Sequence, residues 1–164
     1  WRPFLLGPIF AAQGWGDSPF NLYPAKGRYM WRDLERRAER FGIAFRRPDP
    51  AGPAFPQASL LAARAALVAL EAGKGPAFCK AVFAAEFQEG ADIADPAVIA
   101  RIGETVGLRD SVTDAGSAPI KAQLRRNVEK AIAQGVFGAP SFVAKGELFW
   151  GDDRLEDALD WAAG

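Results

Sequence analysis

The chain contains no histidine. Every scheme with an imidazole base, and every zinc site with imidazole ligands, is thereby excluded from these residues. It has a single cysteine, Cys79, so no internal disulfide and no CxxC redox pair exists within them. A reducing compartment, the cytoplasm, is the simpler expectation. Net charge is absent too: 20 basic residues balance 20 acidic ones, and no long run of either sign occurs. A field able to steer nucleic acid or an anionic membrane surface is not encoded. No stretch approaches the roughly 18 apolar residues that span a bilayer, and no secretory leader is recognisable.

What remains is an ordinary globular mixture, 49% hydrophobic and 24% charged over 164 residues. That suits one domain, or one domain with an insertion. The segment Trp1–Leu6, closed by Gly7, reads as a short buried strand. Because a strand needs a partner for its backbone groups, we expect a further segment to precede Trp1. Residues 7–27 read as a long loop rich in Gly, Pro, Ser and Asn, and loops of that length are commonly functional. Five helices are expected next: about Arg28 to Phe41, Gln57 to Ala72, one opened by Pro76, one opened by Pro96, and a longer one after Ser117 and Pro119. The end differs. Ser141–Ala144 and Leu148–Trp150 flank Lys145–Gly146–Glu147 in a hairpin pattern, and Asp153 to Ala163 follows as an amphipathic helix. A strand, several helices, a hairpin and a helix together indicate an α/β chain interrupted by a helical insertion.

Three groups of residues are able to carry chemistry. In Gly135–Val136–Phe137–Gly138–Ala139–Pro140, a cis bond at Pro140 bares the Ala139 peptide group beside a sheet edge, where an extended peptide can pair. An ordinary turn is the commoner outcome, since about 5–6% of X–Pro bonds are cis. In Trp150–Gly151–Asp152–Asp153, carboxylates at a helix start suit a ligand ammonium while free helix N–H groups suit a carboxylate. Asp153 is equally well placed to cap that helix, with Glu156 assisting. Asn21, in the long loop, offers both donors and an acceptor to a peptide-like ligand, or simply holds a turn. Arg64 shares a helix face with Leu60 and Leu67, which suits either an anion site or a snorkelling side chain. Cys79 reads as a buried inert thiol.

Taken in chain order, several segments resemble the 2-hydroxychromene-2-carboxylate isomerases, relatives of kappa-class glutathione transferases and DsbA-type oxidoreductases. They are Trp1–Arg2–Pro3–Phe4–Leu5–Leu6–Gly7, Lys26–Gly27–Arg28–Tyr29, Phe55–Pro56 before the helix carrying Arg64, Gly135–Pro140, and Phe149–Trp150–Gly151–Asp152–Asp153–Arg154–Leu155. The resemblance implies a thioredoxin-like fold with an all-helical insertion: residues 1–27 and 118–164 forming the thioredoxin-like part, residues 28–117 the insertion. It implies glutathione as cosubstrate, with Ala139 and Pro140 meeting its cysteinyl backbone, Trp150, Gly151, Asp152 and Asp153 its γ-glutamyl end, and Asn21 matching an active-loop Asn. Lys26 and Arg64 are the residues assigned to an aromatic carboxylate substrate, and a homodimer fits the family. The implied reaction is thiol addition to a conjugated alkene, bond rotation and elimination. The serine that stabilises the thiolate in the family has no match here and is expected upstream of Trp1. Where some relatives have Lys, this chain has Ala11. A DsbA-like thiol–disulfide oxidoreductase and a non-catalytic binding module are the alternative readings.

Overall fold

The computed structural model describes all 164 residues. Helices dominate it, and one antiparallel hairpin is its only sheet. The expected strand at Trp1–Leu6 is not formed. Residues 1–5 are irregular, Trp1 is exposed, and α1 (Leu6–Ala12) begins where the strand was to end. Short apolar runs do not distinguish strand from helix, and Pro8 in the first turn needs no N–H partner there. Residues 7–27 are likewise not a loop. They hold α1 and α2 (Pro19–Leu22), the latter capped by Ser18, whose hydroxyl accepts the Phe20 N–H.

The long α3 (Pro24–Phe41) ends on Gly42 in the left-handed conformation. A connection from Ile43 to Ser59 leads to α4 (Leu60–Glu71), which is followed by α5 (Gly75–Ala84), a π-helical turn (Ala85–Glu89), α6 (Pro96–Thr105), α7 (Ser111–Ala115) and α8 (Ala118–Ala133). Proline in the first turn starts α2, α3, α5, α6 and α8, where its missing N–H costs nothing. Ala62, Ala65, Ala66 and Ala69 give α4 a small-residue face. The large side chains of neighbouring helices, Phe78, Val82, Ile99 and Ile102, close on it, and Phe78 and Ile99 are fully buried. Leu67 joins Ile120 and Leu124 to fasten α8 to the same helix.

Strands β1 (Ser141–Ala144) and β2 (Glu147–Trp150) pair with Ser141 opposite Trp150 and Ala144 opposite Glu147. Lys145 and Gly146 both have positive φ, 49° and 87°, the conformation that a two-residue turn of matching twist requires. A short 3₁₀ turn (Asp152–Arg154) then leads into α9 (Leu155–Ala163). Ile9 of α1 packs with Ala131 and Val136, joined by Phe4, Leu6 and Leu148, so the first residues lie against the end of α8 and the hairpin. The Asn127 side-chain amide donates to the Pro3 carbonyl at 2.8 Å and fixes that approach.

Candidate functional site

The residues singled out around the hairpin come together. The Ala139–Pro140 peptide bond is cis, as is Phe55–Pro56. Ala139 is exposed, and neither its N–H nor its carbonyl has a backbone partner. The next residue does the opposite: the Pro140 carbonyl accepts the Gly151 N–H at 3.0 Å, which brings the start of β1 against the end of β2. Ser141 Oγ donates to the Gly138 carbonyl at 2.8 Å and closes the turn from the other side. The Ala139 N–H and the Ala139 carbonyl are left free between the held carbonyls of Gly138 and Pro140.

Gly138 is buried beneath the Trp150 indole, and a Cβ there would lie 2.4 Å from Trp150 Nε1. No side chain fits. The indole, half exposed, also leans on Phe137 with ring centres 5.1 Å apart. Gly151 has φ 110° and ψ 149°, a region nearly confined to glycine. Asp153 Oδ1 sits 2.5 Å from where its Cβ would be. Trp150 and Asp153 therefore rest directly on glycines, on either side of one turn.

The expected capping role of Asp153 is not seen. Neither the 3₁₀ turn nor α9 has a side-chain cap, because the chain enters α9 through helical residues and leaves no extended N-cap position for Asp153. Its carboxylate instead lies 3.3 Å from Arg154, whose guanidinium bonds Asp157 at 2.8 Å. Asp152 turns the other way and takes Nε of Arg37 at 2.7 Å, tying α3 to this turn. Of the two carboxylates, Asp153 is the more weakly engaged.

Asn21 lies elsewhere. Its amide bonds both carboxylate oxygens of Asp17 at 3.1 and 3.2 Å, and it lines an open cleft of about 250 Å³. Trp31, Arg47 and Phe55 line the same cleft. The Trp31 and Phe55 rings meet edge to face at 4.7 Å, and the Arg47 guanidinium sits 5.4 Å over the Trp31 ring. None of these three was assigned to a site from the sequence, although Phe55 belongs to one of the segments that carry the resemblance. A Trp, an Arg and a Phe spread over 25 positions carry no local signal, and only the fold of the Ile43–Ser59 connection back onto α3 joins them.

The two residues assigned to substrate are not part of that cleft. Lys26 is exposed, its ammonium 5.0 Å over the Tyr23 ring. Arg64 is half-buried in α4, and its Nε is fully enclosed without a hydrogen-bond partner. The snorkelling reading is thus only half right, since the inner end of the guanidinium does not reach water. Cys79 is half-buried, and burial raises its thiol above the usual range, as suits an inert thiol. No cluster of His, Cys, Asp or Glu is arranged to hold a metal ion, and no helix is long and apolar enough to cross a membrane.

Comparison with known proteins places the fold and the family. Residues 1–160 match the model of the DsbA-like thioredoxin domain. The 2-hydroxychromene-2-carboxylate isomerase of Sphingobium xenophagum is 30% identical over 148 residues, covering 89% of this chain and 72% of that one. A solved 2-hydroxychromene-2-carboxylate isomerase superposes with a TM-score of 0.82 at 24% identity, over 99% of this chain and 78% of the other. The fold is therefore thioredoxin-like with helices inserted, and the chain belongs to the DsbA-like thioredoxin family, among its 2-hydroxychromene-2-carboxylate isomerases.

Proposed function

We propose that this protein is a glutathione-dependent isomerase of the 2-hydroxychromene-2-carboxylate type. One observation carries the reading: the unpaired Ala139 peptide group, set beside Trp150 and Asp153. An extended tripeptide backbone takes both bonds that Ala139 offers, as strands do when they add to a sheet edge. The half-exposed Trp150 indole supplies an apolar wall, and Asp153 supplies a carboxylate for the ammonium of a γ-glutamyl group. The residues present thus fit glutathione. When bound, glutathione supplies the thiol that adds to the conjugated alkene and leaves after the bond has rotated.

The chain's own residues also suit a flat aromatic carboxylate. Trp31 and Phe55 offer faces and edges for an aromatic ring, Arg47 a cation for the carboxylate, and Asn21 its amide oxygen as an acceptor for a phenolic hydroxyl. This cleft, rather than Lys26, is where we place the substrate. Arg64, with its enclosed Nε, supports α4 from within.

Calorimetric titration with glutathione tests the first part. Asp153→Ala should weaken binding by roughly 1.5–3 kcal/mol, the range for a hydrogen bond to a charged group. Its stability should barely change, because Asp153 caps nothing. Unchanged affinity would remove the γ-glutamyl role and leave a peptide-binding module as the better description. Conversion of 2-hydroxychromene-2-carboxylate, followed by absorbance with and without glutathione, tests the reaction.

A further inference from the structure

A second cavity, of about 130 Å³, opens between the Ile43–Ser59 connection and the π-helical turn. Arg46, Asp49, Gln57 and Glu86 line it together with Pro48 and Pro53. Glu86 reaches it from the π-turn and is 93% buried, leaving 7% of its surface exposed. The carboxyl has neither an ion pair nor a hydrogen bond, and desolvation alone pushes its pKa up to about 7. Across the cavity stands Arg46, which forms no salt bridge either. Its guanidinium lies against Gly90, with Nη1 3.4 Å from where a Cβ would be. Asp49 also faces Glu86 from the connection, though one of its oxygens is taken by the Ala51 N–H at 2.8 Å.

The walls are fixed. Gln57 donates to the Ala91 carbonyl at 3.1 Å and accepts the Ile93 N–H at 2.7 Å, clamping the connection to the segment after the π-turn. The π-turn ends α5 on Gly90 in the left-handed conformation, which sets the position of Glu86. A buried carboxyl and a cation therefore border one small polar space without reaching each other. A simple cation entering it meets Arg46, and a simple anion meets Glu86 and Asp49. A group with an ammonium at one end and a carboxylate at the other satisfies both sides. The space is small, which favours the smallest amino acids.

We propose that this cavity binds a small zwitterionic α-amino acid, its ammonium on Glu86 and its carboxylate on Arg46. The site is separate from the residues assigned to glutathione, and stands whether or not that assignment does.

The test is calorimetric titration with glycine, and with methylammonium and acetate as its two halves. Glycine should bind, each half at least tenfold more weakly. Glu86→Gln, which keeps the shape, and Arg46→Gln, at an exposed position, should each weaken glycine binding roughly tenfold or more. Below the titration of Glu86, binding should release a proton, read from the dependence of heat on buffer, because an ammonium favours the ionised carboxylate. No heat with glycine, or glycine binding unchanged in Glu86→Gln, would overturn the proposal. Methylammonium binding as tightly as glycine would overturn the zwitterion in favour of a plain cation site. Glutathione affinity should stay unchanged in Glu86→Gln; its loss would hand the cavity to glutathione and end the case for a separate site.

Discussion

The helices between Leu60 and Ala133 and the segment from Val136 to Arg154 hold together by different means. In the helical part, alanines on one face of α4 admit Phe78, Val82, Ile99 and Ile102, and the fixing force is apolar burial. The hairpin segment has few buried side chains, among them Val136 and Ala144. Its shape comes from a cis bond, from close approaches over Gly138 and Gly151, and from the Pro140–Gly151 and Ser141–Gly138 hydrogen bonds. Apolar packing consumes the groups it orders. Backbone geometry orders a turn while leaving the Ala139 N–H and carbonyl unpaired and Asp153 only weakly engaged, which is what a binding site needs.

Breaking the packed half should have the largest effect. Phe78→Ala empties a completely buried ring site and should cost about 3–5 kcal/mol of stability in urea unfolding. If the two halves are ordered independently, glutathione affinity measured on the remaining folded protein should be nearly unchanged. A parallel loss of affinity would show that the hairpin takes its geometry from the helical core.

Glu86 sharpens the contrast, as the one buried charged residue of the chain. Unfolded, its carboxyl ionises near 4.5; folded, near 7. Between these pH values the folded protein keeps a proton that the unfolded chain has released. The contribution is fully present below about 4.5 and is lost as pH rises to about 7, amounting to at most about 3 kcal/mol. Thermal or urea unfolding between pH 4.5 and 8 should show this decline, and Glu86→Gln should flatten it. A decline that persists in the variant would assign it to other groups.

Legibility in the sequence follows the same division. Helices α3 to α6 and α8 announce themselves through proline starts, glycine stops and apolar spacing, because each signal acts within one turn. Lys145–Gly146 marks the hairpin for the same reason. Trp1–Leu6 misled, since six apolar-rich residues suit either a strand or the approach to α1, and only the contacts of Phe4 and Leu6 with Ile9, Ala131 and Val136 decide. The short α1, α2 and α7 have too few residues for a period to show. Residues 139–153 could be singled out in the sequence as one candidate group because they are contiguous. The Asn21–Trp31–Arg47–Phe55 cleft was not, because its members meet only through the path of a proline-rich connection. Spacing left Asp153 either a cap or a ligand group, and neither the 3₁₀ turn Asp152–Arg154 nor α9 takes a side-chain cap from it.

The smallest expected effect concerns the link between α3 and the hairpin turn. Arg37 and Asp152 form an ion pair, with Arg37 27% and Asp152 59% exposed. Exposed pairs of this kind contribute about 0.2–1 kcal/mol, and salt screens them. Arg37→Ala should therefore lower stability by less than about 1 kcal/mol, with most of the loss gone in high salt. Its effect on binding runs the other way from its size. Releasing Asp152 adds a free carboxylate beside the weakly paired Asp153, which should leave glutathione affinity equal or slightly raised at low salt. If affinity falls instead, the pair is what holds Asp152–Arg154 in its binding geometry, and the turn is less self-supporting than its glycines and hydrogen bonds indicate.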